Sequence, residues 1–411
     1  MIAEDIRRDA GLIIQRAIRA VQPDEAVARA LLGREFPGRV LLVAAGKAAW
    51  QMACAADACM GGRICDGVVV TKYGHGKGPI ANFRIFEAGH PVPDENSFLG
   101  TQAAIDLVSG LTAKDTVLFL LSGGGSALFE KPLISGEELQ NITAQLLASG
   151  ADIVEMNTIR KRLSAVKGGR FAKLCAPAQV YAIVLSDILG DPLDMIASGP
   201  ACADSSTCAQ ALAVARKYDL KLSEKVWHLL ERETPKILHN VTAVVTGSVR
   251  ELCSAAAKAC RELGYEPVLL TDRLNCQARE AGSFLASVAR SHGEAGRNLA
   301  FLAGGETVVK LTGKGLGGRN QELALAAAEG IAGMDNAVVF SVGSDGTDGP
   351  TDAAGGIVDG TTARRLLEQG IRIHQVLAQN DAYHALEKVD GLIITGPTGT
   401  NVNDVAVVLI G

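Results

Sequence analysis

The chain has 411 residues, more than one ordinary hydrophobic core holds, so two domains are expected. Hydrophobic residues make up 48% and aromatic ones only 4%, an Ala/Val/Leu/Ile/Gly-rich composition that suits parallel sheets with helices on both faces. The net charge of −5 argues against nucleic acid or an anionic membrane as the main partner, while a locally positive cleft could still take an anionic metabolite.

From the N-terminus, Ile6, Ala10, Ile13, Ala17 and Val21 form one stripe at helical spacing, interrupted by charges. This predicts an amphipathic helix and not a signal peptide. Strands are expected at 40–45, 67–71, 83–87, 116–121 and 180–186. In the second half they are expected at 242–246, 266–270, 299–303, 307–312, 337–342, 392–395 and 405–410. Helical periodicity fills most gaps, as at 136–148, 152–165, 249–263, 276–291 and 320–331. This rhythm predicts an α/β fold with mainly parallel sheets. The break around Glu233–Asn240, with Pro235 inside it, divides the chain into domains 1–236 and 237–411; a chain crossing twice between domains fits the same pattern. No apolar stretch reaches transmembrane length. Nine scattered Cys without a C-x-x-C pair read as small buried hydrophobes of a soluble protein in a reducing cytoplasm. There is no H-E-x-x-H zinc motif.

In doubly wound sheets the ligand sits beyond the carboxyl ends of the strands, so the loops there carry the chemistry. After 116–121 comes Ser122-Gly123-Gly124-Gly125-Ser126, whose glycines let backbone N–H groups converge on an anion, with two hydroxyls flanking them. It is not a Walker A loop. Lys47 follows 40–45 at a strand-to-helix turn, where its charge adds to an anion-attracting helix start. Asn157, Arg160, Ser164 and Lys167 share one face of helix 152–165 and form either a solvated face or a cleft wall for an anion. Asp187 follows strand 180–186, with Asp191, Asp194 and Ser198-Gly199-Pro200 after it. A carboxylate there can bind Mg²⁺ or act as a general base.

In the second half, Gly304-Gly305-Glu306 closes one strand. Gly313, Gly315 and Gly318 then spell the dinucleotide pattern G-x-G-x-x-G before a helix. The preceding segment TVVKLT reads as a hairpin arm rather than a buried parallel strand. Arg319, Asn320 and Glu322 at the helix start suit a side-chain anion site better than a pyrophosphate seat. The loop after 337–342 carries Asp345, Asp348 and Asp352 in eight residues, a divalent-cation signal without EF-hand spacing. The Thr and Asn residues of 396–404 could complete a binding site or form a tight hairpin.

Seven segments, AAGKAAWQMA, FLLSGGGSAL, MNTIRKRLSAVKGGRFA, LSDILGDPLDMIASGP, AGGETVVKLTGKGLGGRNQELAL, GSDGTDGPTDAAGG and TGPTGTNVNDVAVVLI, together resemble the class II glycerate 2-kinases, the glycerate kinases with a C-terminal MOFRL domain. The resemblance runs in order from about Val40 to the C-terminus. It implies a Rossmann-like domain, a second α/β domain and an active site in the cleft between them. It implies ATP- and Mg²⁺-dependent phosphorylation of the 2-hydroxyl of D-glycerate, with Lys47 and Arg319 as the family's catalytic lysine and arginine. On that basis Ser122–Ser126 is expected to cradle phosphate, Arg160 or Lys167 to hold the glycerate carboxylate, and Asp187 to take the hydroxyl proton. Asp345 or Asp348 is expected nearer Mg²⁺, with Asn157, Glu306 and Asn320 lining the site. The rival readings are an NAD(P)H-dependent hydroxypyruvate reductase, resting on the glycine pattern, and a non-catalytic metabolite-binding protein. A homo-oligomer is compatible with the sequence.

Overall fold

The computed structural model describes residues 3–411. It forms two compact units. One is Pro23–Thr246; the other joins Gly247–Gly411 to the N-terminal segment ending at Gln22. Among the described residues no helix is long and apolar enough to cross a membrane.

The first unit is built on β1 (Val40–Ala45), β2 (Ile64–Lys72), β3 (Arg84–Ala88), β4 (Thr116–Leu121), β5 (Gln179–Leu185) and β6 (Val241–Gly247), in the order β3-β2-β1-β4-β5-β6. The strands from β3 to β5 are parallel. Strands β1 and β4 are buried along their whole length, as a sheet covered on both faces requires. The period-two pleat sends alternate residues to opposite cores. Leu41, Val43, Val117, Phe119, Val180 and Ala182 join one; Leu42, Ala44, Leu118, Leu120, Tyr181 and Ile183 join the other. The order 3-2-1-4-5-6 places the point where chain direction across the sheet reverses between β1 and β4, so the loops after these strands open where such folds bind ligands.

The second unit carries β7 (Glu266–Leu274), β8 (Leu299–Gly305), β9 (Ala337–Gly343), β10 (Gly355–Asp359), β11 (Leu392–Ile393) and β12 (Asp404–Ile410), in the order β11-β10-β9-β12-β8-β7. The parallel expectation fails here. The last strand, β12, inserts antiparallel between β8 and β9, and β10 is antiparallel to β9. No strand forms at 307–312. Val308 and Leu311 are exposed there, so the alternating polarity of TVVKLT has no sheet to face. Conversely, β10 was hidden by its two glycines. Gly355 is needed there because a Cβ would come within 1.9 Å of the Ser341 carbonyl oxygen on β9.

The expected division at 236 is also corrected. Asn240 and β6 belong to the first sheet: Val180 N–H donates to the Asn240 carbonyl at 2.7 Å, and the Asn240 side chain donates to the carbonyls of Ala172 and Ala178. The N-terminal helix Ala3–Ala20 leaves the chain's first half and packs on helix Val249–Glu262 and on β9. All five residues of its apolar stripe are fully buried. Arg7 pairs with Asp359 at 2.7 Å and Tyr265 donates to Asp9 at 3.1 Å, so the chain does cross twice between units. All nine cysteines are free thiols. Cys175, Cys253 and Cys260 are the buried hydrophobes expected, whereas Cys59, Cys65 and Cys276 are exposed.

Under β4 three fully buried phenylalanines, Phe119, Phe129 and Phe171, meet with ring centroids 4.9 to 5.5 Å apart. Phe129 follows the glycine loop directly, so this cluster anchors the loop's far end. Phe171→Ala is expected to cost about 3–5 kcal/mol in urea unfolding, and Phe171→Leu clearly less.

Candidate active site

In the first unit the loops after β1, β4 and β5 interlock. Lys47 N–H donates to the Gly123 carbonyl at 2.9 Å, and Ala48 N–H donates to Ser122 Oγ at 3.0 Å. Gly46 has φ 126°, and a Cβ there would lie 2.2 Å from Ser122 Oγ, so only glycine lets the two loops approach this closely. Ser122 is thus buried and holds the loops together rather than facing a ligand. Gly123 and Gly124 form the open turn. Neither N–H donates to a backbone carbonyl among the described residues. Gly124, at φ 84°, leads into the single helical turn Gly125–Leu128.

Two charged side chains close on this turn. An Asp187 oxygen lies 2.4 Å from where a Cβ on Gly123 would stand, and Lys47 Cγ lies 3.2 Å from the same point on Gly124. Arg160 arrives from helix Ile153–Leu163 and donates to the Ser126 carbonyl at 3.0 Å. Its Nε is buried without a hydrogen-bond partner among the described residues. Ser126 Oγ is 3.3 Å from Ser198 Oγ, which donates to Asn157 Oδ1 at 2.8 Å, a polar chain running from the loop into the interior. Ala197 and Ser198 both adopt left-handed backbone, at φ 49° and 62°. Non-glycine residues hold such angles at a cost of about 1–3 kcal/mol each, and they tend to cluster at functional sites. Ala197 packs against Gly125, whose Cβ would meet it at 2.7 Å. Both faces of helix Ile153–Leu163 are therefore engaged, and the solvated-face alternative does not hold.

Lys167 is corrected. It is fully buried, pairs with the equally buried Glu130 at 2.7 Å and donates to the Phe129 carbonyl. Burial pushes its ammonium down to about 8, with the Glu130 charge opposing. The ammonium is spent inside the fold, which leaves Arg160 of the two residues expected to hold a carboxylate.

In the second unit the site forms around the start of helix Arg319–Gly330. Arg319 grips Asp404 with Nε at 2.6 Å and Nη2 at 3.1 Å, and reaches Glu306 with Nη1 at 3.1 Å. Burial opposes its charge, but the Asp404 carboxylate outweighs it and holds the guanidinium above its ordinary value. Three bonds leave two of the five N–H groups for a ligand. Asp404 was missed at the sequence level. Its signal was an acid opening the otherwise apolar, fully buried strand DVAVVLI.

Asp348 is also corrected. Both its oxygens accept helix amides, Asn320 N–H at 3.2 Å and Gln321 N–H at 2.8 Å, so it caps the helix instead of facing a metal. Burial pushes its carboxyl up to about 6. Asn320 is buried too, accepting from Ser341 at 2.6 Å, and acts as a support of this cap. Asp345 is partly exposed, and one of its oxygens lies 3.3 Å from the Cβ position on Gly343, as does an Asp404 oxygen. Among the described residues no three His, Cys, Asp or Glu side chains are grouped for a metal. The donor set therefore fits Mg²⁺ held by one or two carboxylates and substrate phosphates, and not a cation caged by protein. A cavity of about 620 Å³ adjoins Arg319, lined by Glu306, Val309, Gly318, Asp348 and Asn380 among others.

The dinucleotide pattern does not form a pyrophosphate seat. Cβ atoms on Gly313 and Gly315 would meet the backbone of Gln379 and Asp381 at 2.3 and 2.6 Å, so these glycines serve packing. Gly318 faces the Asp348 carboxylate, at 2.2 Å from its own Cβ position, and that carboxylate takes the helix amides a pyrophosphate would need.

Site and fold thus define a two-unit α/β protein with an open glycine turn in one unit and an acid-braced arginine in the other. A family model described as a domain of unknown function (DUF4147) matches residues 9–231, and one described as the MOFRL family matches residues 299–404. A relative called D-glycerate 2-kinase, from Thermotoga maritima, is 53% identical over 99% of both chains. One called glycerate 2-kinase, from Pyrococcus horikoshii, is 42% identical over 100% of this chain and 98% of the relative. A 39% identical relative from Agrobacterium vitis, aligned over 97% of this chain and 93% of its own, is called a putative hydroxypyruvate reductase. The crystal structure of glycerate kinase from Thermotoga maritima superposes with a TM-score of 0.95 at 53% identity, covering 99% of this chain and all of that one. The chain belongs to the glycerate 2-kinase family with a C-terminal MOFRL domain.

Lys167→Met strands Glu130 and should destabilise by about 3–5 kcal/mol, while adding Glu130→Leu restores most of the loss in urea melts. For Asp348 the folded carboxyl lies above its unfolded value near 4, so between about pH 4 and 6 the folded state binds the extra proton and stability falls as pH rises. Relative to Asp348→Asn, the unaltered chain should lose roughly 2–3 kcal/mol across that window.

Proposed function

We propose that this protein transfers the terminal phosphoryl group of ATP to the 2-hydroxyl of D-glycerate, giving 2-phosphoglycerate and ADP. The observation that carries the reading is the order of groups along the carboxyl ends of β1, β4 and β5: a lysine and a carboxylate, each set against an open glycine turn. Phosphoryl transfer needs little covalent help from protein. It needs phosphate held in line and its developing charge neutralised.

In this reading the Gly123 and Gly124 amides, with the Ser126 hydroxyl beyond them, hold phosphate oxygens, while Ser122 and Gly125, whose N–H donates to the Ser122 carbonyl at 3.3 Å, keep the turn in place. Asp187 accepts the proton of the 2-hydroxyl as its oxygen attacks the γ-phosphorus. The bond to the β–γ bridging oxygen breaks, and ADP leaves with that oxygen. Lys47 and Arg319 are assigned to neutralise charge on the transferring group. The Glu306 and Asp404 contacts hold the Arg319 fork in one orientation before substrate arrives. Arg160 is assigned the glycerate carboxylate, since its fork already stands at Ser126 with an unmet donor. Asp345, with substrate phosphates, would hold Mg²⁺, which supplies Lewis-acid charge neutralisation when bound.

Coupled assays test the assignment. ATP-Mg²⁺ with D-glycerate should release ADP, while NADH or NADPH with hydroxypyruvate should remain unoxidised. Lys47→Ala and Arg319→Ala should each lower kcat by roughly a hundred- to a thousandfold, with far-UV circular dichroism unchanged. Near-normal turnover in both variants would overturn these roles.

A further inference from the structure

The sequence segment AGHPVPDEN was not absorbed by the roles above. It places His90 two residues beyond β3, the outermost strand of the first sheet. The chain nevertheless brings its imidazole back to the middle of the sheet. His90 Cδ2 and Nε2 lie 3.0 and 3.2 Å from where a Cβ on Gly124 would stand, beside Lys47 Cγ at 3.2 Å from the same point. Gly124 is thus closed over by two basic side chains from different strand ends, one on β1 and one on β3.

His90 is half-buried, and neither ring nitrogen has a hydrogen-bond partner among the described residues. That separates it from His75, whose Nδ1 lies 2.9 Å from the Lys47 carbonyl and which thereby braces the lysine turn. The nearby acids are engaged elsewhere. Asp94 accepts from Tyr73 and from the Ser97 amide, and Glu87 from the Gly76 amide. Burial, together with Lys47, Lys72 and His75, keeps the His90 imidazole below its ordinary value. The ring is therefore neutral near pH 7 and offers one N–H donor. A half-buried donor with no protein partner, aimed at a glycine turn among several cations, is suited to a phosphate oxygen.

We propose that His90 is a phosphate-binding residue of the glycine loop, its Nε2 side closing on the Gly124 turn beside Lys47. This rests on the phosphoryl-transfer reading and deepens it by naming a donor for the nucleotide phosphates that the sequence patterns did not single out. His90 then acts in nucleotide affinity, while Lys47 acts mainly in the chemical step.

Calorimetric titration of ADP into the unaltered chain, His90→Phe and His90→Gln tests this. His90→Phe keeps the ring but removes the donor, and should weaken ADP about ten- to a hundredfold. His90→Gln keeps an N–H near the Nε2 position and should recover most of that loss, a rescue that a purely packing role would not give. Melting temperatures report whether each variant folds. Independently of any variant, the ¹⁵N resonance of His90 Nε2 in the unaltered chain should shift when ADP saturates it. Equal ADP affinity in the unaltered chain and in folded His90→Phe, or an unmoved His90 resonance, overturns the assignment alone. No binding of ADP to the unaltered chain overturns the phosphoryl-transfer reading and this assignment with it.

Discussion

The close approach of the β1 and β4 loops is the constraint on which the first unit's chemistry depends. Gly46 gives up its side chain so that Ser122 can sit against its backbone. Ser122 gives up its hydroxyl to the Ala48 amide, and the Gly123 carbonyl is taken by the Lys47 amide. These bonds use the groups that would otherwise face solvent and leave Gly123 and Gly124 projecting at the point where the sheet's winding reverses. The Phe119–Phe129–Phe171 cluster then fixes the exit from the loop. A flexible glycine run thereby becomes a shaped turn, and the entropy of ordering it is met by folding and not by ligand binding.

The second unit solves a similar problem with charge. A lone buried arginine is poorly placed to await an anion, because its own solvation is lost. Here Asp404 and Glu306 flank Arg319 and hold the guanidinium in one orientation, while Asp348 occupies the adjacent helix amides. The cost falls on the acids. Burial raises both Asp348 and Asp404, and each is tolerated only because amides or the arginine answer it. Charged groups held out of water in advance are what electrostatic stabilisation of a transition state requires.

The strands with buried, β-branched or leucine-rich sequences were legible from the chain alone, β1 and β4 to the residue. So were the loops behind them, because in a parallel sheet strand ends and functional loops coincide. What escaped was decided by partners distant in sequence. TVVKLT has strand-like alternation but pairs only through a single bridge, Val308 to Gln277, and β10 has neighbours but too little side chain to announce them. Lys167 and Arg160 share a face and a charge, yet one meets Glu130 in the interior and the other meets the glycine loop. Asp348 and Asp345 lie three residues apart, and only the helix placed against the first separates a cap from a candidate metal ligand. Periodicity cannot report which of two like charges finds a buried counterpart.

The glycine pattern before Arg319 carries the same lesson into function. G-x-G-x-x-G signals dinucleotide binding when its glycines keep a helix N-terminus open to pyrophosphate. Here two of the three glycines are consumed by packing against 379–381, and the third makes room for a carboxylate of the protein's own. An acid seated on the helix amides both satisfies them and repels a second anion. The motif persists because the same small residues answer a different steric demand. The reductase named for some relatives finds no support in this segment. The positive potential of the helix start is answered by Asp348, while Asp404 and Glu306 orient Arg319 beside it.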